Sequence, residues 1–150
     1  MKDFLEEILD EREIKDLEEI LDFSLTEKLN HEELAEKIAV SNFLQVKLTK
    51  ILLKLKLLEA DLEVEFDTWF SSQFRTIAEE YDGIPELLKT SKDYEREIKT
   101  LDEYKATKKA LKKLEAIISV LQTKEKEFNA FDWKVKSIID LEKIKNNLSY

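Results

Sequence analysis

Lysine side chains at helical spacing are the groups in this sequence best suited to chemistry, namely the binding of phosphate. Lys47, Lys50 and Lys54 recur at i, i+3 and i+7 within residues 37–58, a tract with five basic residues and no acidic one. A second cluster comprises Lys105, Lys108, Lys109, Lys112 and Lys113. On a helix such spacing gathers ammonium groups on one side, where they can follow a phosphate backbone. The alternative interpretation is a solvated face, or salt bridges to acidic segments of the same chain.

Aromatic residues between positions 69 and 81 suit a site for single strands. Bases of a single strand stack on aromatic rings beside a basic groove. That mixture is supplied here by Trp69, Phe70, Phe74, Arg75 and Tyr81. Rings at helical spacing equally fit a helix core, so the core interpretation stays open.

Groups for catalysis and for metal or nucleotide binding are scarce. The only histidine, His31, stands beside Glu32 and Glu33, and we interpret it as a solvated residue at a helix start. One Gly leaves no loop that could cradle phosphate, and zero Cys leaves no thiol chemistry. Carboxylates are numerous, but Glu- and Lys-rich helices carry them on solvated faces. We therefore expect no enzyme, no metal, no cofactor and no small-molecule substrate.

Helices must position these groups, because the 150 residues contain one Gly and one Pro, whereas β folds need many turn residues. Charged residues make up 39% and apolar residues 43%, which is typical of long amphipathic helices. We predict a single all-α domain over 1–150. It consists of an acidic N-terminal helical segment (1–29), a long helix (30–82), a hinge with a short helix (83–99) and a long C-terminal helix (100–146).

Capping signals set the predicted helix starts. Asn30 with Glu33 and Thr100 with Glu103 fit capping boxes before the two long helices. The segment 82–85, Asp-Gly-Ile-Pro, is the predicted break at which the long helices fold back into an antiparallel hairpin. Thr90 or Ser91 is the predicted cap of the short helix between them.

Two apolar stripes run along the predicted helix 30–82. One comprises Leu44, Leu48, Ile51, Leu55, Leu58 and Leu62, and the other Val46, Leu53, Leu57 and Val64. One partner helix of the same chain can hardly cover both stripes, so we expect coiled-coil-like packing between subunits. In the C-terminal helix the apolar stripe shifts phase after Phe128, where we expect the seam to change partner.

The net charge of −9 is spread unevenly. It divides into −10 over 1–36, +5 over 37–58, −8 over 59–88 and +4 over 89–150. A partner responds to the field within roughly 10 Å, so an acidic total does not exclude nucleic acid.

Signals for export or membrane insertion are not seen in the sequence. The N-terminal run MKDFLEE is acidic from its third residue, and the most apolar tract, 51–58, is interrupted by Lys54 and Lys56. We expect a cytoplasmic protein, in the host cytoplasm if it is viral, with no membrane partner.

Three segments of the chain, taken in order, carry a family resemblance. They are Arg75 with Tyr81-Asp82-Gly83, the run YEREIKT at 94–100, and the run WKVKSIIDL at 133–141. Together with the acidic amphipathic start they resemble the phage recombination mediators of the UvsY type. Those proteins help to load a recombinase onto single-stranded DNA that is coated with its binding protein.

The resemblance implies a homo-oligomeric ring or rosette of helices that binds single-stranded DNA, a recombinase and a single-stranded DNA-binding protein. It carries DNA binding to Arg75 and stacking to Tyr81. Glu79 and Glu80 stand where the family has further basic residues, so that lysines elsewhere would share the contact. The predicted DNA-binding residues are Arg75, Tyr81, Lys47, Lys50, Lys54, Lys108 and Lys112. The C-terminal helix would form the assembly contacts, through Phe128, Phe131, Val135, Ile138 and Leu141.

Two other function classes remain open. The chain could be a purely structural coiled-coil oligomer, such as a virion or scaffold component that binds no nucleic acid. It could also be a helical adaptor or antagonist whose acidic residues 1–36 mimic DNA or occupy a basic surface of a partner.

Overall fold

The computed structural model describes residues 2–25, 31–80 and 90–148, and all regular structure within them is α-helical. The helices are α1 (Lys2–Ile8), α2 (Glu11–Asp22), α3 (His31–Glu80), α4 (Ser91–Lys99) and α5 (Asp102–Leu148). The predicted all-α class with two long helices is confirmed. Where the sequence predicts one domain, the packing contacts cluster into two compact units. The first comprises Met1–Lys54 and Ile118–Tyr150, and the second comprises Leu55–Ile117.

The acidic N-terminal segment forms two helices, because a capping box starts a new helix at Asp10. The Asp10 backbone is extended, and its carboxylate accepts a hydrogen bond from the Glu13 N–H at 2.7 Å. The Glu13 carboxylate in turn accepts the Asp10 N–H at 3.1 Å. This reciprocal pair satisfies two N–H groups that lack a partner inside the helix.

The capping box predicts a pH-dependent contribution to stability. The Glu13 N–H, which donates to the Asp10 carboxylate, holds the pKa of that carboxyl below its ordinary value of 3.8. A carboxyl whose pKa is lowered in the folded state stabilises the fold at pH values above its unfolded pKa. This contribution is lost as the pH falls through the folded pKa.

We expect Asp10→Ala to lower the free energy of unfolding at about pH 7. The difference in this free energy between the variant and the native protein is expected to narrow at about pH 3. Urea unfolding followed by circular dichroism checks this, with Asp10→Asn as the control that keeps an acceptor. An Asp10→Ala protein as stable as the native one at neutral pH would contradict it.

In the first unit, α2 lies antiparallel to the beginning of α3. Glu13 pairs with Lys54, whereas Asp16 and Glu19, further along α2, pair with Lys47. The buried apolar side chains of this unit come from α2, α3 and α5 and from Leu9, which follows α1. They are Leu9; Leu17 and Ile20 of α2; Leu44, Leu48, Ile51 and Leu52 of α3; and Ile118, Leu121, Phe128, Phe131 and Val135 of α5.

The C-terminal end of α2 contacts α5 through one pair of stacked rings and through the hydrogen bonds of one lysine. Phe23, the C-cap of α2, stacks on Phe128 with ring centroids 5.7 Å apart. The Lys124 ammonium donates to the carbonyl oxygens of Phe23, at 2.9 Å, and Leu21, at 3.5 Å. A cation at this place satisfies carbonyl groups that the helix leaves unpaired, and it opposes the negative end of the helix dipole.

The predicted interface between subunits requires a correction. Phe128, Phe131 and Val135 are 1%, 3% and 8% exposed, and they lie in the core of the first unit of the same chain. The chain's own α2 reaches this part of α5, where Phe23 stacks on Phe128. Ile138 is half-buried and Leu141 is exposed, so their role in assembly stays a prediction.

In the second unit, α3 runs antiparallel to α4 and the beginning of α5 along a row of rings. Phe66 and Phe70 lie against Tyr104, with centroids 5.4 Å and 6.4 Å apart, and Phe74 meets Tyr94 edge to face at 5.2 Å. Residue numbers rise along α3 as they fall along α5 and α4. The buried apolar residues of this unit are Leu55, Phe66, Ile77, Ile98, Leu114 and Ile117.

The helix caps of the second unit agree with the sequence at one position and differ at another. Thr90 is the N-cap of α4, in a capping box with Asp93, as predicted. The capping box predicted for Thr100 with Glu103 is wrong. Thr100 has helical backbone angles and ends α4, and its hydroxyl donates to the Glu97 carbonyl at 2.6 Å. The predicted cap at Asn30 and the break at 82–85 lie outside the described residues.

The two predicted stripes of α3 have different surroundings. In the first stripe, Leu44, Leu48, Ile51 and Leu55 are buried and Leu58 and Leu62 are half-buried. In the second, Val46, Leu53, Leu57 and Val64 are all more than half exposed. Among the residues that the structure describes, only the first stripe is therefore covered.

Candidate nucleic-acid interface

Two of the five lysines of residues 37–58, Lys47 and Lys54, are engaged by acidic side chains of α2. The Lys47 ammonium lies 2.7 Å from an Asp16 oxygen and 3.7 Å from a Glu19 oxygen, and it also lies over the Phe43 ring at 4.3 Å. Both side chains of the Lys47–Asp16 pair are less than one-fifth exposed. Lys54 is held by Glu13, the residue that also completes the capping box.

Carboxylates of the same chain thus neutralise both ammonium groups, and the DNA-binding role of Lys47 and Lys54 stays a prediction that these contacts do not favour. The salt-bridge interpretation of this tract describes both of them. Lys50 and Lys56 differ: both are exposed, and neither makes an ion pair with the described residues. Six residues apart, they lie on different sides of α3 and do not form a groove for a phosphate backbone, so this tract is a weak candidate site.

A stronger candidate lies at the beginning of α5. Lys105, Lys108, Lys109 and Lys112 are all exposed and follow i, i+3, i+4 and i+7 spacing, which gathers them on one side of the helix. We call these four residues the α5 lysine face. No acidic residue occurs between 104 and 114. Among the described residues, no carboxylate pairs with Lys105, Lys109 or Lys112. Over about 10 Å of helix the face thus presents four positive charges to solvent.

Aromatic rings border this face within the second unit. The Lys108 ammonium lies over the Phe66 ring at 4.7 Å and over the Tyr104 ring at 5.9 Å. Trp69 and Phe70 are half-buried and pack against Phe66, with centroids 5.9 Å and 6.2 Å apart. These rings therefore form a small aromatic cluster, and the half-buried ones keep part of their surface accessible beside the lysines.

An open groove runs along the same cluster. It has a volume of about 420 Å³, and its lining residues are Leu62, Glu65, Phe66, Trp69, Glu103, Ala106 and Thr107. Two of its side chains, Glu65 and Glu103, are acidic, so phosphate would be repelled there. A strand bound at this unit would keep its phosphates on the lysine face and only its bases near the rings.

The residues carried over from the family resemblance have separate surroundings. Arg75 is exposed and lines a shallow groove with Asp67, Thr68, Ser71 and Ser72, without an ion pair among the described residues. Its role in DNA binding stays a prediction. Tyr81 lies outside the described residues. Phe74 is half-buried and packs edge to face on Tyr94.

The sequence predicts two lysines of the α5 lysine face, Lys108 and Lys112, as site residues. It gives Lys105 and Lys109 only as members of the same lysine cluster. The signal that identifies the whole face is the acid-free interval 104–114. The same signal occurs at 37–58, where the structure shows nearby carboxylates. An acid-free interval thus indicates a free basic surface only where no acidic helix packs on it.

Other kinds of site find no support in the part of the chain that the structure describes. It contains no group of three or more His, Cys, Asp or Glu side chains that could hold a metal ion. None of the described helices combines the length and the apolar character that crossing a membrane requires. No family model, no curated protein and no solved structure matches the chain.

Proposed function

We propose that this protein binds single-stranded DNA through the α5 lysine face. The observation that carries the proposal is the set of four exposed lysines on one side of α5 without a carboxylate between them. Phosphate binding by lysine is independent of sequence and requires only a row of accessible ammonium groups. The neighbouring rings of Tyr104 and Trp69, each half-buried, add stacking surface of the kind that single strands use.

The wider role that we propose is that of a recombination mediator. It rests on the resemblance of three sequence segments, in the same order, to mediators of the UvsY type. Those mediators help to load a recombinase onto strands that are coated by a single-stranded DNA-binding protein. A homo-oligomer would present one lysine face per subunit to the same strand. Once one lysine face is bound, the effective concentration of the other faces at the same strand is raised. Several weak contacts can therefore hold the strand without any hydrolysis.

A titration of a fluorescently labelled oligo-dT with the full-length protein tests DNA binding. Four lysine–phosphate contacts on a single strand give a slope of about −2.8 in log K against log salt, so raising the salt from about 50 to about 200 mM is expected to weaken binding about 50-fold. A protein that fails to bind the oligonucleotide at about 50 mM salt would contradict the proposal.

A second candidate function is a structural coiled-coil oligomer, and one observation favours it. The second apolar stripe of α3 is exposed along its length, as expected of a helix that pairs with another chain. An oligomer that shows no oligonucleotide binding at low salt would support this structural role instead.

A further inference from the structure

The exposed stripe of α3 follows a heptad pattern. Six residues occupy successive a and d positions, namely Val46, Lys50, Leu53, Leu57, Ala60 and Val64, and we call them the α3 seam. All six are exposed, and the four large apolar ones are 55% to 66% exposed. Alternation of four- and three-residue steps over about 27 Å of helix is the pattern of a coiled-coil contact.

The seam is separate from the face that α3 buries within its own chain. Leu48 and Leu55 occupy the f positions of the same heptads, directly opposite the seam, and they are 1% and 0% exposed. In a soluble single helix the second apolar side would be polar. Large apolar side chains on both sides therefore indicate a second packing partner for α3.

The order of residues in the seam is self-complementary when the helix is reversed. In an antiparallel pair, a positions face d positions, and a register centred on position 55 matches every member of the seam with another member. Val46 would face Val64 of the second copy, Leu53 would face Leu57, and the long Lys50 would face the small Ala60. We propose that the occupant of the α3 seam is a second copy of this chain, bound antiparallel around a two-fold axis.

The charges beside the seam select the same arrangement. The first half of the seam lies in the tract 37–58, which has no acidic residue, whereas Glu59, Asp61 and Glu63 follow directly along the second half. Lys47 and Lys54 are already paired with carboxylates of α2, so Lys50 carries this argument: an antiparallel pair places it near Asp61 and Glu63 of the second copy. A parallel pair in register would instead stack Lys50 on Lys50 of the second copy.

Lys50 has a defined place in this pairing. Its ammonium makes no ion pair among the described residues, and opposite Ala60 its chain has room to reach the acidic half of the second copy. A charged residue at a single a position lowers stability but fixes orientation and register. The pairing goes beyond the proposed DNA binding, because it involves a different helix face and needs no nucleic acid.

Engineered cysteines test the pairing, since the chain has no native Cys. Chains with Val46→Cys, mixed with chains with Val64→Cys and oxidised without DNA, are expected to form the mixed disulfide dimer, because the two Cβ atoms would face each other. Each variant alone is expected to stay largely uncrosslinked, because its two cysteines would lie about 27 Å apart. Efficient crosslinking of Val46→Cys with itself would indicate a parallel pair and would overturn the proposal.

Sedimentation velocity of full-length variants gives the second readout. Leu57→Glu, at an exposed position, is expected to convert the dimer to a folded monomer, whereas Val120→Glu, similarly exposed on α5, is expected to leave the dimer intact. Circular dichroism confirms that both variants fold. A native protein that is monomeric at all concentrations, or a dimer that survives Leu57→Glu, would overturn the proposal. Neither experiment includes DNA, so a failure of the pairing proposal can be distinguished from a failure of the proposed DNA binding.

Discussion

Replacing Lys109 and Lys112 together by Glu is expected to weaken binding to single-stranded DNA more than 100-fold. Both residues are exposed members of the α5 lysine face, and neither contacts a ring or a carboxylate among the described residues. A hydrogen bond to a charged group contributes about 1.5 kcal/mol, so two lost contacts amount to about 3 kcal/mol before any repulsion by the new carboxylates. Fluorescence anisotropy with labelled oligo-dT at low salt measures the change.

The matched control changes the same amount of charge elsewhere on α5. Lys126 and Lys143 are exposed and lie outside the acid-free interval. Their joint replacement by Glu is expected to alter the affinity only through the long-range field, by less than about threefold at moderate salt. Equal losses in both double variants would show that overall charge alone governs binding. An unchanged affinity in the Lys109 and Lys112 variant would exclude the α5 lysine face.

Phe128→Ala is expected to lower the free energy of unfolding by about 3 to 5 kcal/mol, because it removes a large ring from a packed core. The ring is 1% exposed and stacks on Phe23, so its loss leaves a cavity where α2 joins α5. A typical domain is stable by about 5 to 15 kcal/mol, and such a loss is therefore a large fraction of the total. Urea unfolding followed by circular dichroism measures it.

Trp133→Ala is the control for this prediction, because Trp133 lies on the same helix and is 68% exposed. Its removal is expected to change the free energy of unfolding by less than about 0.5 kcal/mol. Phe128 packs within its own chain, so the difference between Phe128→Ala and native protein should be the same at every protein concentration. A difference that grows with concentration would place Phe128 in an interface between copies after all.

The helices themselves could be predicted from the sequence because their signals are local. The start of α4 was predicted from Thr90, whose side chain acts within one turn. Thr100 shows the limit of such signals. The same Thr-x-x-Glu spacing fits a helix start, but the residue continues α4 in helical geometry and its hydroxyl bonds backward to Glu97. The choice between these two uses depends on where the preceding helix ends.

The candidate site was only partly predictable, because charge blocks do not say which helix covers them. The acidic excess of residues 1–36 and the basic excess of 37–58 were visible in the sequence. That Asp16 would reach Lys47, and Glu13 would reach Lys54, depends on the register of α2 along α3. Pairing of these lysines leaves the α5 lysine face as the larger accessible basic surface in the described residues.

The partner of the α5 stripe was unpredictable for a similar reason. The phase shift after Phe128 indicates a change in the buried face of α5, since periodicity reports which face is buried. It does not report what lies against that face. The structure supplies Phe23, more than one hundred residues away along the chain, where a second subunit was expected.

The most direct test of strand binding by the α5 lysine face is the slope of log K against log salt. It is measured for the native protein and for the double variant that carries Lys109→Gln and Lys112→Gln. Glutamine removes both charges without adding repulsion. Each phosphate contact on a single strand changes the slope by about −0.7. We therefore expect a slope of about −2.8 for the native protein and about −1.4 for the double variant. Equal slopes for the two proteins would contradict DNA binding by this face.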